Sequence, residues 1–278
     1  MTRRIPITRT VFLLIALTLG AAVMIAPFLY MISTSLKGQI YVLDVPPQFI
    51  PKQPTLQNYI DAWQSNNFAL YFANSLIVAV ATTIGTALIS AMFAYALARF
   101  SFRGRSVAFY AVLIMLMVPG LMLIIPQFIL ATKLGLRNSL PGLVFVYIAT
   151  SLPLNVFLLR GFFEQLPREL EDAVLIDGGN HFTVFFRVAL PLSTPALATV
   201  AIFSFLFSWD EFTWALTAID DMAKRTLPVA IATFQGQYVT QWGLVFAASL
   251  IAIIPVIIIF VALQRFFIKG LTAGAVRG

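Results

Sequence analysis

The chain has 278 residues, of which 60% are hydrophobic and only 10% are charged, and its formal net charge is +7. A soluble domain carries about 25% charged residues, so this composition predicts a protein whose solvent is partly lipid. The absence of cysteine and the single histidine exclude disulfides and thiolate or histidine-rich metal sites, and basic residues scattered singly between apolar runs argue against nucleic-acid binding.

Six apolar stretches follow one another along the chain, and each is long enough to cross a bilayer as a helix. About 20 helical residues span a ~30 Å hydrocarbon core, and a helix satisfies its own backbone groups where lipid cannot. The first stretch is too long for a signal-peptide core, so we interpret it as a retained helix. The six stretches are Val11–Leu36, Leu70–Leu97, Val107–Ala131, Leu140–Leu159, Leu192–Leu216 and Leu244–Leu263. We expect kinks in these helices at Pro126, Pro153 and Pro255.

The distribution of lysine and arginine predicts the orientation of the spans. Twelve of the 18 basic residues fall on one side and six on the other, and the richer side is cytoplasmic by the positive-inside rule. Both termini are then cytoplasmic, as six spans require. The cytoplasmic set is Arg3, Arg4, Arg9, Arg99, Arg103, Arg105, Arg160, Arg168, Arg187, Arg265, Lys269 and Arg277. The external set is Lys37, Lys52, Lys133, Arg137, Lys224 and Arg225.

The spans and their connections predict three regions. Residues 1–69 hold the first helix and a proline-rich external loop at 37–69, in which Leu56–Trp63 could form a short surface helix. Residues 70–269 hold a five-helix core, and residues 270–278 form a cytoplasmic tail.

The segment Arg160–Pro191, between the fourth and fifth spans, is the most informative connection. A helix is predicted from Pro167, because proline and acidic residues favour a first turn, and it ends at Gly178 and Gly179. Leu170, Ala173 and Val174 are predicted to lie on one apolar face of this helix. A second short helix is expected over His181–Val188. These two helices could pack together as a compact projection outside the membrane, or they could be surface helices of an ordinary solvated loop.

A few polar residues within the apolar spans are candidates for a translocation path. Trp209, Asp210 and Glu211 are three of these candidates. The two carboxylates could accept hydrogen bonds from hydroxyl groups of a solute, or the pair could mark a helix end meeting water, with Trp209 in the interfacial aromatic belt. Polar residues in the third and fourth spans could face a path or could bond neighbouring helices. The candidates in those spans are Gln127, Thr150, Ser151 and Asn155.

The features that are missing also bear on function. No Gly-x-x-x-x-Gly-Lys-Ser/Thr phosphate loop occurs, so the chain is not expected to bind ATP, and active transport needs a separate ATPase. An ion-coupled secondary transporter without an ATPase is the alternative, but ionisable residues are scarce within the spans. A membrane-embedded enzyme is disfavoured, because no histidine, cysteine or clustered-acid catalytic set is present.

Motifs along nearly the whole chain resemble the permease subunits of ABC importers. Residues Asp172–Gly179, followed by Leu190 and Pro191, are similar to the signature loop of that family, with Asp172 for Glu, Val174 for Ala and Gly179 for Ala. Further segments resemble the carbohydrate branch, specifically the maltose-type partner permease. These segments are Phe72–Leu76, Ala94–Phe100, Lys133–Leu136, Trp209–Phe212 and Gly270–Gly278.

The resemblance implies an all-α membrane protein of six transmembrane helices, with a cytoplasmic coupling helix between the fourth and fifth. It implies a pore shared with a sister permease in the cell (inner) membrane, two ATPase subunits that bind ATP and Mg²⁺, and an external sugar-binding protein. The chain itself would hold no cofactor, no metal and no catalytic residue, and its cargo would be a sugar or sugar derivative. The implied ATPase-coupling residues are Glu171, Asp172, Ala173, Val174, Asp177, Gly178 and Gly179.

Overall fold

The computed structural model describes residues 7–38, 46, 48–65, 67–235 and 240–275, with side chains over 8–266 of these. Helices form nearly all of the regular structure in this part of the chain, and one isolated antiparallel bridge joins Gln235 and Thr240. The predicted all-α class is therefore confirmed. Three of the basic residues used to predict the orientation lie outside the described residues, namely Arg3, Arg4 and Arg277.

The described residues contain thirteen α-helices of very different lengths. Turns of 3₁₀ helix occur at Gly120–Leu123 and Met222–Lys224, and a π-helical turn occurs at Phe185–Ala189. In chain order the helices are α1 (Ile7–Ser35), α2 (Gln57–Gln64), α3 (Phe68–Arg99), α4 (Arg105–Met117), α5 (Ile124–Lys133), α6 (Leu140–Phe163), α7 (Glu169–Ile176), α8 (His181–Val184), α9 (Leu190–Leu192), α10 (Thr194–Asp210), α11 (Thr213–Ala218), α12 (Leu227–Thr233) and α13 (Trp242–Ala275).

Within the part of the chain that the structure describes, four helices are each long and apolar enough to cross a membrane, namely α1, α3, α6 and α13. They match the first, second, fourth and sixth apolar stretches of the sequence. Pro153 lies within α6 and Pro255 within α13, and neither proline divides its helix. Helix α13 continues to Ala275, so it includes most of the predicted tail 270–278, and residues 276–278 lie outside the described part.

The third predicted span, Val107–Ala131, is interrupted, which corrects the expectation of one continuous helix. Helix α4 ends before Val118 and Pro119, and the chain turns by 101° into the helical segment Gly120–Lys133. Proline lacks the backbone N–H that a continuing helix needs, which explains a break at Pro119. Pro126 sits in the first turn of α5, where a missing N–H costs little, so the break does not occur there.

The fifth predicted span, Leu192–Leu216, is also interrupted. The segment His181–Leu192 meets α10 at an angle of 76°, next to Ser193 and the proline in the first turn of α10. At its other end α10 stops at Asp210, Glu211 is extended, and α11 begins at Thr213. If each bent pair is counted as one span, the described residues hold up to six candidate spans by length and composition.

The chain divides into two compact units. One comprises the residues up to Ala69 together with Ala230–Ile254, and the other comprises Leu70–Val229 with the residues from Pro255. Within the first unit, the predicted surface helix is present as α2, and its buried Asn58 donates hydrogen bonds to the carbonyl oxygens of Ser35 at 2.8 Å and Lys37 at 2.5 Å.

In the second unit, one apolar cluster of described residues lies near each end of α3. The cluster at the C-terminal end of α3 includes Tyr95, Phe163 and Phe185, whose rings meet edge-to-face or tilted at centroid distances of 5.2–5.5 Å. The cluster towards the N-terminal end includes Tyr147 and Trp214. The candidate sites described below lie beside these two clusters.

Candidate functional site

The segment after α6 folds as two short helices joined by a sharp glycine turn, as predicted. Helix α7 has Glu169, Glu171 and Asp172 in its first turn, where negative charge stabilises the positive end of the helix dipole. It ends at Ile176, and the chain turns at Gly178, whose φ of +81° is left-handed backbone that strains any residue with a side chain.

Gly179 is required for a different reason, which is close packing. Its N–H donates a 2.8 Å hydrogen bond to the carbonyl oxygen of Val174, which closes the end of α7. A Cβ atom at position 179 would lie 2.6 Å from Cγ1 of Val174 and 2.8 Å from that carbonyl oxygen. The turn at 178–179 therefore depends on both glycines.

The second short helix begins at His181, where the side chain of Asn180 accepts a 2.9 Å hydrogen bond from the N–H of Thr183. It runs beyond the predicted end at Val188, through the π-helical turn to Leu192. The imidazole of His181 packs edge-to-face on Phe100 at a centroid distance of 5.0 Å. Within the described residues, no group of His, Asp or Glu side chains could hold a metal ion.

The inner side of α7 is anchored to the C-terminal end of α3. Oε1 of Glu171 lies 2.7 Å from Nε of Arg99, and these side chains are only 14% and 5% exposed. Tyr95 donates a 3.3 Å hydrogen bond from its hydroxyl to Oε2 of Glu171. Nη2 of Arg99 also donates a 2.7 Å hydrogen bond to the carbonyl oxygen of Leu166. Sequence reasoning missed Arg99 and Tyr95 as partners of this loop, although both lie in the motif Ala94–Phe100.

The outer face of α7, which we define as Leu170, Ala173 and Ile176, is exposed and apolar. Ile176 is 84% exposed, and the carboxylates of Asp172 and Asp177 stand beside this face. Sequence reasoning grouped Val174 with Leu170 and Ala173 on one face. The structure places Val174 inward instead, packed against the apolar cluster around Tyr95, because it follows Glu171 by three residues on the same side of the helix.

A second candidate site is a cavity of about 510 Å³ at the two interrupted spans. Three of the predicted path residues line it, namely Gln127, Thr150 and Glu211. Most of the remaining wall is apolar, with residues of the break between α4 and α5 on one side and Phe207 and Trp214 on the other. A few polar groups in an apolar wall are typical of a small-molecule site.

Glu211 is the most extensively bonded polar residue of this cavity. Its carboxylate accepts hydrogen bonds from the backbone N–H groups of Trp214 at 2.7 Å and Ala215 at 3.0 Å, which caps α11. It also accepts a 2.5 Å hydrogen bond from the hydroxyl of Tyr147 on α6. Glu211 therefore fixes the break between α10 and α11 against α6. Tyr147 was missed in the sequence, where a lone hydroxyl in an apolar span gives little signal.

The other four predicted path residues do not line this cavity. Asn155 is buried and donates hydrogen bonds to the carbonyl oxygen of Ser151 at 2.8 Å and, across to α10, to the hydroxyl of Ser204 at 3.3 Å. Trp209 is buried, with its ring stacked on Phe205 at a centroid distance of 5.6 Å. Asp210 is exposed at the end of α10.

Comparisons with known proteins support one family. A family model described as "Binding-protein-dependent transport system inner membrane component" matches residues 87–273. The chain is similar to the sulfoquinovosyl glycerol transport system permease protein SmoH of Agrobacterium fabrum, with 37% identity over 91% of this chain and 88% of that protein. It is similar to the trehalose/maltose transport system permease protein MalG of Thermococcus litoralis, with 36% identity over 98% of both chains.

A third relative is the diacetylchitobiose uptake system permease protein NgcG of Streptomyces coelicolor, with 35% identity over 94% of this chain and 87% of that protein. Among solved structures, the chain matches one from a bacterial ABC transporter involved in the import of the acidic polysaccharide alginate. That match has a TM-score of 0.80 and 24% identity, and it covers 96% of this chain and all of the other. At this identity the likeness shows the fold alone.

Proposed function

Because this chain belongs to the family of binding-protein-dependent transport system inner membrane components, we propose that it forms half of the membrane pore of an ATP-driven sugar importer. The family is one of permease subunits, so the chain is not itself an enzyme, and ATP is bound by a partner ATPase. An ion-coupled transporter without an ATPase is set aside for the same reason. The cargo class rests on the relatives, three of which are named for sugars or sugar derivatives.

We infer six membrane crossings, each bent pair of helices counting as one, with both termini in the cytoplasm. The 12-to-6 distribution of basic residues supports this orientation. The loop holding α7 is then cytoplasmic and residues 37–69 are external. We place the permease core at 70–269 and assign the exposed apolar surface of α1 to lipid and to a sister permease.

The observation that supports this proposal most strongly is the contrast between the two sides of α7. One side is bonded to α3, and the other is apolar and exposed to solvent. Its inner side is bonded to α3, whereas its outer face exposes Leu170, Ala173 and Ile176 to water. A helix of eight residues gains little stability alone, and burying that face in a groove of an ATPase subunit stabilises it. Asp172 and Asp177 stand where they can pair with basic residues of that subunit.

The complex needs two ATPase subunits, one for each permease, and an external sugar-binding protein. Closing of the ATPase pair moves α7, and the spans then change from inward-open to outward-open. The sugar follows a path past the cavity lined by Gln127, Thr150 and Glu211. Asn155 and Trp209 are buried, and we propose that they hold together the helices around that path. Ser151 and Asp210 stay candidates for path contacts outside this cavity.

The test of this proposal is co-purification of the ATPase with two matched variants of the chain. Ala173→Glu places an unpaired charge in the docking contact, which typically costs several kcal/mol, whereas about 1.4 kcal/mol already lowers affinity tenfold. Gln165→Glu adds the same charge to an exposed position of the same loop and serves as the control. We expect Ala173→Glu to lose the ATPase while Gln165→Glu retains it. Equal retention by both variants would contradict a docking role for α7.

A further inference from the structure

Side chains near both ends of α3 form hydrogen bonds or an ion pair with distant parts of the chain. At its C-terminal end, Arg99 lies 2.7 Å from Glu171 and donates a hydrogen bond to the carbonyl oxygen of Leu166. At its other end, Nδ2 of Asn74 donates hydrogen bonds to the carbonyl oxygens of Ala223 at 2.9 Å and Arg225 at 3.0 Å.

Ser75 adds a further contact at the N-terminal end of α3, where its hydroxyl accepts a 2.7 Å hydrogen bond from the N–H of Leu227. These contacts bind the segment 223–227, between α11 and α12, to the same helix that binds the segment before α7. At about 1.5 Å per helical residue, the distance along the axis from Asn74 to Arg99 is roughly 37 Å. One helix therefore connects the loop of α7 with a segment that the distribution of basic residues assigns to the external side.

Helix α3 is also suited to transmit a displacement without bending. The other three long helices each contain an internal proline, at Pro27, Pro153 and Pro255, whereas no proline occurs within α3. Sharp kinks in helices arise mostly at proline, so α3 is expected to move as a rigid rod. Its single glycine, Gly85, is covered closely, because a Cβ there would lie 2.5 Å from Cδ1 of Ile148 on α6.

We propose that α3 is the rod that carries the movement of α7 to the segment 223–227, and that Arg99 and Glu171 are the positioning residues that join α7 to it. This inference rests on the proposed function and refines it. Glu171 does not dock the ATPase, because its carboxylate is turned inward onto Arg99 and Tyr95. The outer face of α7 binds the ATPase, and the buried pair of Arg99 and Glu171 transmits the movement of α7 to α3.

The pair suits this role because it is buried. A solvent-exposed ion pair exchanges partners easily and contributes little, whereas a buried pair that loses one member leaves an uncompensated charge. Glu171→Gln removes the charge while keeping the size of the side chain, so the ion pair between α7 and α3 is lost while the outer face of α7 is unchanged. The matched control is Glu164→Gln, since Glu164 pairs with Arg160 at 2.9 Å in the same loop but is 43% exposed.

The test measures how fast a cysteine introduced beside the segment 223–227 is labelled. The protein is the complex of this chain with its sister permease and ATPase in proteoliposomes. The chain has no native cysteine, and Met222, which is 63% exposed and precedes Ala223, is replaced by cysteine. The rate of labelling by a membrane-impermeant maleimide is measured without nucleotide and after trapping with ATP and vanadate. We expect trapping to change this rate in the parent and in Glu164→Gln.

In Glu171→Gln we expect the ATP-dependent change to fall by about tenfold, as for the loss of a coupling of about 1.4 kcal/mol, while the ATPase still co-purifies. The charge swap Arg99→Glu with Glu171→Arg should restore part of the change. If the labelling rate of the parent does not change on trapping, or if Glu171→Gln keeps the full change, α3 does not transmit the movement of α7. If Glu171→Gln no longer co-purifies with the ATPase, as expected for Ala173→Glu, Glu171 contributes to docking and the proposed role in transmission is wrong. Failure of the unmodified chain to bind any ATPase refutes the proposed function instead.

Discussion

Replacing Glu211 with alanine should loosen the wall of the cavity at the break between α10 and α11. The substitution removes the acceptor for two backbone N–H groups, those of Trp214 and Ala215, and for the hydroxyl of Tyr147. Loss of a helix cap costs about 1 kcal/mol, and a buried donor left without an acceptor costs about 1–3 kcal/mol. Trp214, Ala215 and Tyr147 are buried, so we expect a loss of about 2–4 kcal/mol in stability.

The assay is thermal unfolding of the purified chain in detergent, with two comparison variants. Glu211→Gln keeps one acceptor oxygen and should lose roughly half as much stability as Glu211→Ala. Asp210→Ala changes the exposed neighbour at the same helix end and should shift the midpoint little. If Glu211→Ala unfolds at the same temperature as the parent, or if Asp210→Ala is equally damaging, Glu211 does not fix this break.

Three further predictions follow from the loops and from the family. A cysteine introduced at Gln48 should react with an impermeant reagent only from outside the cell, and reaction only from the cytoplasmic side would reverse the orientation. The purified chain alone should neither bind nor hydrolyse ATP, and saturable nucleotide binding in the absence of partners would contradict its place as a permease. Gly178→Val should weaken ATPase co-purification, because left-handed backbone costs roughly 1–2 kcal/mol with a side chain. Gly104→Val carries the same backbone strain at φ +88° away from α7, and equal weakening by both would point to general instability.

The sequence predicted the features that depend on composition and on local chemistry. The apolar length of α1, α3, α6 and α13 identifies each as a candidate span, and the first-turn acids and Gly178 of α7 mark both of its ends. The break at Pro119 was missed, because apolar composition continues through that position. The acids Asp210 and Glu211 were instead one possible helix end in the sequence, and α10 does end at Asp210. Whether a proline breaks a helix depends on its place in the turn, and Pro126 and Pro119 illustrate the two outcomes.

The sites were less predictable than the helices, because their contacts join residues far apart in the chain. The charge of Arg99 in the sequence indicates membrane topology, and only the fold shows that its guanidinium reaches Glu171. In the same way, the polarity of Asn155 did not reveal whether it faces a cavity or bonds α6 to α10. Val174 turned inward because helix rotation is fixed by Glu171, whose partner lies on another helix.

We propose that this permease moves a sugar at the expense of ATP hydrolysed by a partner ATPase. ATP hydrolysis by the reconstituted complex of this chain, its sister permease and two ATPase subunits tests this coupling. We expect the rate to rise when the external binding protein is added with its sugar, and the sugar to accumulate inside the vesicles. A hydrolysis rate that does not respond to the loaded binding protein, or sugar accumulation that continues without ATP, would contradict the coupling of transport to ATP.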